Sequence, residues 1–338
     1  MMRMPRFQYF APRALDEAAK ILADWGADAA VVAGGTDLFP NMKRRQQTPR
    51  RVIGLRGIES LHARAIHDGA ANGARGGISL GAMTSLTRLE RDQAVRALWP
   101  ALSNAAALIS TPPLRNMGTL GGNLCIDTRC NYWSQNFEWR KAIDFCLKKD
   151  GDTCWVAPGS ERCWAVASSD TAPVLCAIGA EVSLVSAAGE RRIAASELFH
   201  DDGIRFLAKR PDEILAAIHL PARDERTRAV YKKLRRRGSF DFPVLGVAAR
   251  ARLSAGGVVE EARIVLTGVG SRPHEARAAG ESLVGKSLAD ADVVRAAAQL
   301  AAQLAKPLDN TDFQLGWRKE MARKLVADAL LDLARGSC

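Results

Sequence analysis

Apolar side chains recur at helical spacing in residues 13–25 (RALDEAAKILADW), where Leu15, Ala18, Ala19, Leu22 and Trp25 share a face, so an amphipathic helix is predicted near the start of the chain. The apolar run from Ala29 to Ala33 then reads as a short strand emptying into Gly34-Gly35-Thr36-Asp37-Leu38. Further strands are predicted at residues 51–55 (RVIGL) and 77–82 (GISLGA). Thr84-Ser85 opens a helical pattern carrying Leu86, Leu89, Val95 and Leu98, and residues 102–109 continue as a helix of small side chains. Pro112 and Pro113 argue against a regular helix in the stretch that ends at Asn123. Residues 244–253 and 262–269 read as strands joined by the Ser254-Ala255-Gly256-Gly257 turn, with helices to follow at about 290–305 and 313–335.

A chain of 338 residues can bury a substantial core and suits two or three domains better than one. Hydrophobic content of 47% and charged content of 25% are ordinary for a soluble globular protein. The first residues, MMRMPRFQYFAPRALDEAA, lack the apolar core of a secretory signal, and no stretch approaches the run needed to span a membrane. A cytoplasmic location without membrane contact is therefore expected, and in that compartment clustered cysteines point to metal or redox chemistry rather than disulfides. The formal net charge of +11 raises nucleic acid as a partner. The positive clusters, Lys43-Arg44-Arg45, Arg50-Arg51 and Lys232 to Arg237, are short and scattered without interleaved aromatics, so nucleic acid is not expected.

The chemistry concentrates in two places. Gly34-Gly35 and the later Gly118-Thr119-Leu120-Gly121-Gly122-Asn123 are glycine loops that can bring backbone N–H groups close to a phosphate, or can serve as tight turns. Neither is a G-x-G-x-x-G fingerprint or a P-loop; two loops from distant parts of the chain suit a long dinucleotide such as FAD. Behind the second loop, residues 123–164 hold five of the seven cysteines and four of the seven tryptophans. Cys130, Cys146, Cys154 and Cys163 are separated by fifteen, seven and eight residues. Four thiolates can hold a [4Fe–4S] cluster or zinc, and spacing alone leaves iron, zinc and unligated thiols open. Cys125 is a substitute for Cys130 or a small buried hydrophobe, Cys176 belongs to an apolar run and is assigned to the core, and the terminal Cys338 is incidental. Trp133, Trp139, Trp155 and Trp164 can shield such a centre from water or form a miniature core. Lys141, Lys148 and Lys149 can stabilise a negatively charged cluster or face solvent. The histidines at 62, 67, 200, 219 and 274 form no close metal pair and are expected at the surface, and no hydrolytic constellation is present.

The pair VVAGGTDL and RNMGTLGGN, the segment Ser168 to Leu175 and the segment Tyr231 to Phe242 together resemble the FAD-binding (medium) subunit of the xanthine oxidase family of molybdenum hydroxylases, in the family's order over nearly the whole chain. The roughly forty-residue insertion with four cysteines is similar to that of the β subunit of 4-hydroxybenzoyl-CoA reductase, where it carries a [4Fe–4S] cluster. The resemblance implies an α+β fold with a two-part FAD-binding domain at 1–225 (1–58 and 59–225, with a cysteine-rich insertion at 125–167) and a smaller α+β domain at 226–338. It implies FAD contacts from Ala33, Gly34, Gly35, Thr36, Asp37, Thr119, Gly121, Gly122, Asn123 and Asp170, with Lys233 near the flavin ring, and cluster ligation by Cys130, Cys146, Cys154 and Cys163. No residue is expected to act as a catalytic acid or base. It further implies an electron-transfer role in aromatic degradation. A ferredoxin-like donor, a [2Fe–2S] small subunit and a molybdenum-cofactor large subunit are the partners, assembled as a dimer of heterotrimers. The alternatives are the FAD subunit of another molybdenum hydroxylase, acting on an aromatic or aldehyde substrate, and a zinc-stabilised assembly subunit.

Overall fold

The structure is a computed structural model that describes residues 3–68 and 75–336. Its strands form three sheets among the described residues. The first holds β1 (Gln8–Phe10), β2 (Ala29–Val32) and β3 (Arg51–Gly54), with β3 central and both pairings parallel. A parallel pair needs a crossover, and the predicted amphipathic helix, Leu15–Trp25, supplies one between β1 and β2. It buries Ala18, Ala19 and Leu22 in one cluster with Ile53, Leu55, Ile214 and Ala216, which joins the first sheet to the second.

The second sheet contains β4 (Arg64–Ile66), β5 (Ile78–Gly81), β6 (Glu181–Ser186), β7 (Gly189–Ala194) and β8 (Ile214–Leu220), antiparallel in the order β4-β5-β8-β6-β7. The helical pattern that begins at Thr84-Ser85 is two helices, Leu86–Arg91 and Gln93–Leu98. Asp92 breaks it: the residue is extended and its carboxylate caps the second helix by accepting from the amides of Ala94 and Val95. The two prolines also act differently from expectation. Pro112 and Pro113 occupy the first turn of a helix, Pro112–Met117, where a missing N–H leaves no intrahelical bond unmade.

The third sheet, β9 (Thr227–Leu234), β10 (Leu245–Leu253), β11 (Val259–Thr267) and β12 (His274–Glu275), is antiparallel in the order β12-β11-β10-β9. Strand alternation buries both of its faces. Val230, Val247, Ala249, Ile264 and Leu266 pack in one cluster with residues of the helices Ala291–Ala302 and Leu315–Arg335. Tyr231, Ala248 and Val265 point the other way, into the core formed with the helix Thr171–Ile178 and the second sheet. Cys176 lies in that core as expected, whereas Cys338 lies outside the described residues.

Residues 125–167 carry one short helix, Phe137–Ala142, and otherwise turns and loops around a small core of Cys130, Trp133, Cys163 and Ala165. Paired backbone bonds between Arg129 and Val166 close the base of the insertion. No helix among the described residues is long and apolar enough to cross a membrane.

Candidate functional site

The two glycine loops meet. A Cβ at Gly34 would fall on the carbonyl oxygen of Met117, so backbone packs directly on backbone there, and only glycine permits it. The second loop enters the helix Leu120–Leu124, whose N-cap Thr119 accepts from the Gly122 amide at 3.0 Å through Oγ1. Gly121 donates its N–H to the Ala82 carbonyl at 2.9 Å, and a Cβ there would stand 2.6 Å from Ala82 Cβ. These glycines therefore serve close packing of the loop on the end of β5, and their amides are engaged inside the protein rather than bare. Asn123 ties the loop to the third motif, its Oδ1 accepting from Ser169 Oγ (2.8 Å), Thr171 Oγ1 (2.7 Å) and the Thr171 amide (3.2 Å).

Between the loops lies a cavity of about 400 Å³, within the range of cofactor sites. Ala33, Gly34, Gly35, Thr36, Asp37, Thr119, Gly121, Gly122, Asn123 and Asp170 all line it, with apolar walls from Leu22, Val32, Leu55, Met83 and Ile214. A cavity lined by glycine backbone, small hydroxyls and apolar side chains suits a dinucleotide. Lys233 is not part of the lining. It lies behind Asp170, donating to its Oδ2 at 2.9 Å and to the Leu108 carbonyl at 3.0 Å, while Tyr231 donates to Asp170 Oδ1 at 2.7 Å. Burial pushes the Asp170 carboxyl up and the Lys233 ammonium down, each opposed by the other's charge. Glu213 and Phe242 also line the cavity; nothing in the sequence pattern had singled out Glu213.

Cys130, Cys146, Cys154 and Cys163 line a second, smaller cavity together with Trp133, Lys148 and Trp155. Cys125 lines the larger cavity instead. The Ala165 amide donates to Cys163 Sγ at 3.5 Å. Burial raises the thiol pKa of Cys130, Cys146 and Cys163, to about 12 for Cys130 and about 11 for Cys163, so a metal would have to displace their protons. No three His, Cys, Asp or Glu side chains among the described residues close on a single metal ion.

Three donor atoms on two side chains beside these thiols lack partners. Trp133 is buried and its Nε1 is unpaired. Arg140, a residue that no sequence signal marked, is also buried; its Nη2 donates to the Arg44 carbonyl at 2.8 Å, but Nε and Nη1 have no acceptor. Its guanidinium carbon lies 5.4 Å from the Trp133 ring centroid and 5.9 Å from those of Phe137 and Phe145. Donors left without an acceptor beside four thiols fit a group that brings negative charge and sulfur acceptors. Of the other tryptophans, Trp139 is exposed and Trp164 stacks with Arg162.

None of the five histidines is buried, and two of them are tied into one network. His67, Ser79, His219 and Ser183 form a hydrogen-bonded chain on the second sheet with steps of 2.7, 2.8 and 2.9 Å. The register that places Ser79 opposite His219 creates it, and that register is not visible in the sequence.

A family model described as the FAD binding domain in molybdopterin dehydrogenase matches residues 5–223, and one described as the CO dehydrogenase flavoprotein C-terminal domain matches residues 229–333. The carbon monoxide dehydrogenase medium chain of Hydrogenophaga pseudoflava is 29% identical over 327 residues, 96% of each chain. An aldehyde oxidoreductase FAD-binding subunit of Escherichia coli K12 is 29% identical over 310 residues, covering 89% of this chain and 91% of the other. Among solved structures, a carbon monoxide dehydrogenase from Hydrogenophaga pseudoflava superposes with a TM-score of 0.78 at 27% identity over 100% of both chains. Quinoline 2-oxidoreductase from Pseudomonas putida 86 gives 0.76 at 25% identity over 99% of both.

Proposed function

The chain belongs to the family of FAD-binding medium subunits of molybdenum hydroxylases, and from that premise we propose that it carries a [4Fe–4S] cluster beside its FAD and serves a reductase of the 4-hydroxybenzoyl-CoA type. Its mixed two-domain fold, like that of the carbon monoxide dehydrogenase medium chain, is the one its sequence led us to expect. It is an oxidoreductase subunit that binds FAD. We assign residues 1–225 to the cofactor domain, divided at 58/59 and interrupted by the insertion at 125–167, and residues 226–338 to the smaller domain.

In this reading Ala33 to Asp37 hold the FAD pyrophosphate from one side and Thr119, Gly121, Gly122 and Asn123 shape the other. Asp170 faces the flavin, and Lys233 supplies its positive charge through Asp170 rather than directly. Cys130, Cys146, Cys154 and Cys163 ligate the cluster, and Cys125 and Cys176 take no part. When bound, the two groups supply one- and two-electron chemistry between a low-potential, ferredoxin-like donor and the [2Fe–2S] and molybdenum partner subunits. The chain itself contributes no acid or base; its residues position the groups, exclude water and set local charge. The phenolic substrate meets the molybdenum subunit, and the assembly is a dimer of heterotrimers in the cytoplasm.

The observation that supports the cluster is that four cysteines line one cavity beside the unpaired donors of Trp133 and Arg140. Anaerobically purified chain should contain about four iron and four acid-labile sulfide per FAD. FAD with one zinc would leave the family and remove the cluster. For the reaction, the assembled complex with reduced ferredoxin should convert 4-hydroxybenzoyl-CoA to benzoyl-CoA. A second reading is favoured by the relatives' names, which include an aldehyde oxidoreductase and carbon monoxide dehydrogenases: oxidation of an aldehyde or aromatic substrate by the same subunit architecture. Turnover of an aldehyde and none of the thioester would select it.

A further inference from the structure

We propose that the buried ion pair Lys148–Asp127 is the electrostatic link between the two cavities and sets how readily the thiol-bound centre accepts an electron. This rests on the cluster reading above. Lys148 belongs to the turn that carries Cys146, and its side chain is only 6% exposed. The ammonium donates to Asp127 Oδ1 at 2.7 Å, to Thr128 Oγ1 at 2.6 Å and to the Gly203 carbonyl, so all three of its hydrogens are engaged and its place is fixed. It stands 5.2 Å from the Trp133 ring centroid and 5.5 Å from that of Phe206.

The partners divide by side. Lys148 and Trp133 line the thiol cavity, while Asp127 and Phe206 line the large one. Asp127, 8% exposed, turns its other oxygen to Gln47 Nε2 at 3.2 Å, and Gln47 also lines the large cavity. The pair is thus the wall the cavities share, with its cation toward the thiols and its anion toward the flavin side. Reduction by a low-potential one-electron donor adds one negative charge to the centre with no proton and no bond made or broken. A fixed cation in a poorly screened wall stabilises that added charge, and the carboxylate behind it cancels part of the effect.

The two members of the pair should therefore act with opposite sign, which a purely structural salt bridge would not do. The test is a mediated potentiometric titration of the full chain followed by electron paramagnetic resonance, with iron and sulfide assayed on each sample. Lys148→Met should disfavour reduction at least tenfold, about 59 mV more negative for one electron. Asp127→Asn should shift the potential positive, and Lys148→Arg should stay near the parent value. If Lys148→Met fails to fold, the positive shift of Asp127→Asn against the unmoved Lys148→Arg decides the matter. Shifts of Lys148→Met and Asp127→Asn in the same direction, or no shift with iron and sulfide intact, would overturn the link alone. A parent chain without iron and sulfide would overturn the cluster reading and the link together.

Discussion

The carboxylate of Glu213, on the wall of the larger cavity, accepts both prongs of Arg191 at 2.6 and 2.9 Å and the amide of Arg210 at 2.5 Å. The Arg191 hydrogen bonds hold its pKa below the usual glutamate range. A carboxyl lowered on folding adds stability that is present above its unfolded pKa, near 4.3, and disappears as pH falls through the folded value. Glu213→Gln should therefore lower the thermal midpoint at pH 7 and flatten its decline below about pH 4.5. An acid profile that overlays the parent's would place the sensitivity in other carboxylates. Lys233 offers a larger effect: its side chain is 1% exposed, and its loss leaves Asp170, 3% exposed, without its cation. Lys233→Met should cost about 3–5 kcal/mol in urea denaturation. Neither Glu213 nor Arg140 could be found from the sequence. A charged side chain anchored from elsewhere in the fold, as Arg140 is by the Arg44 carbonyl and Glu213 by Arg191, leaves no local pattern, whereas four cysteines in one short insertion announce themselves.

At the scale of elements, periodicity located the helix Leu15–Trp25, the hairpin β10–β11 and both carboxyl-terminal helices to within a few residues. It failed where a single residue changes the meaning of its neighbours. Asp92 looks like one polar position of a helix until its carboxylate is seen to cap the next one, and paired prolines that end a helix elsewhere begin one at Pro112. The glycine loops were legible as loops, but the reason for Gly121 was not, because its neighbour Ala82 comes from the end of a distant strand. Gly121→Leu should consequently drive the loop off that strand and lose FAD, read as flavin absorbance per polypeptide after gel filtration. Retention of stoichiometric flavin would remove the second loop from the site. Thr119→Ala should act more mildly, costing about 1 kcal/mol of cap stability.

Across the whole molecule, the larger cavity draws its walls from residues as far apart as Leu22 and Phe242. A ligand held by so many segments binds the native state alone, so added FAD should raise the thermal midpoint of flavin-depleted chain in a concentration-dependent way. The cysteine cavity is separately lined, and Cys146→Ser should release iron while flavin remains; loss of both together would mean the two sites fold as one. The buried guanidinium of Arg140 bears on that separation. If the proposed cluster is bound, it would give the Nε and Nη1 of Arg140 acceptors, and its loss would leave both donors buried without one. Under the cluster reading, limited proteolysis should cut the insertion of an unloaded chain before its flavin domain, and equal protection of loaded and unloaded chains would refute this.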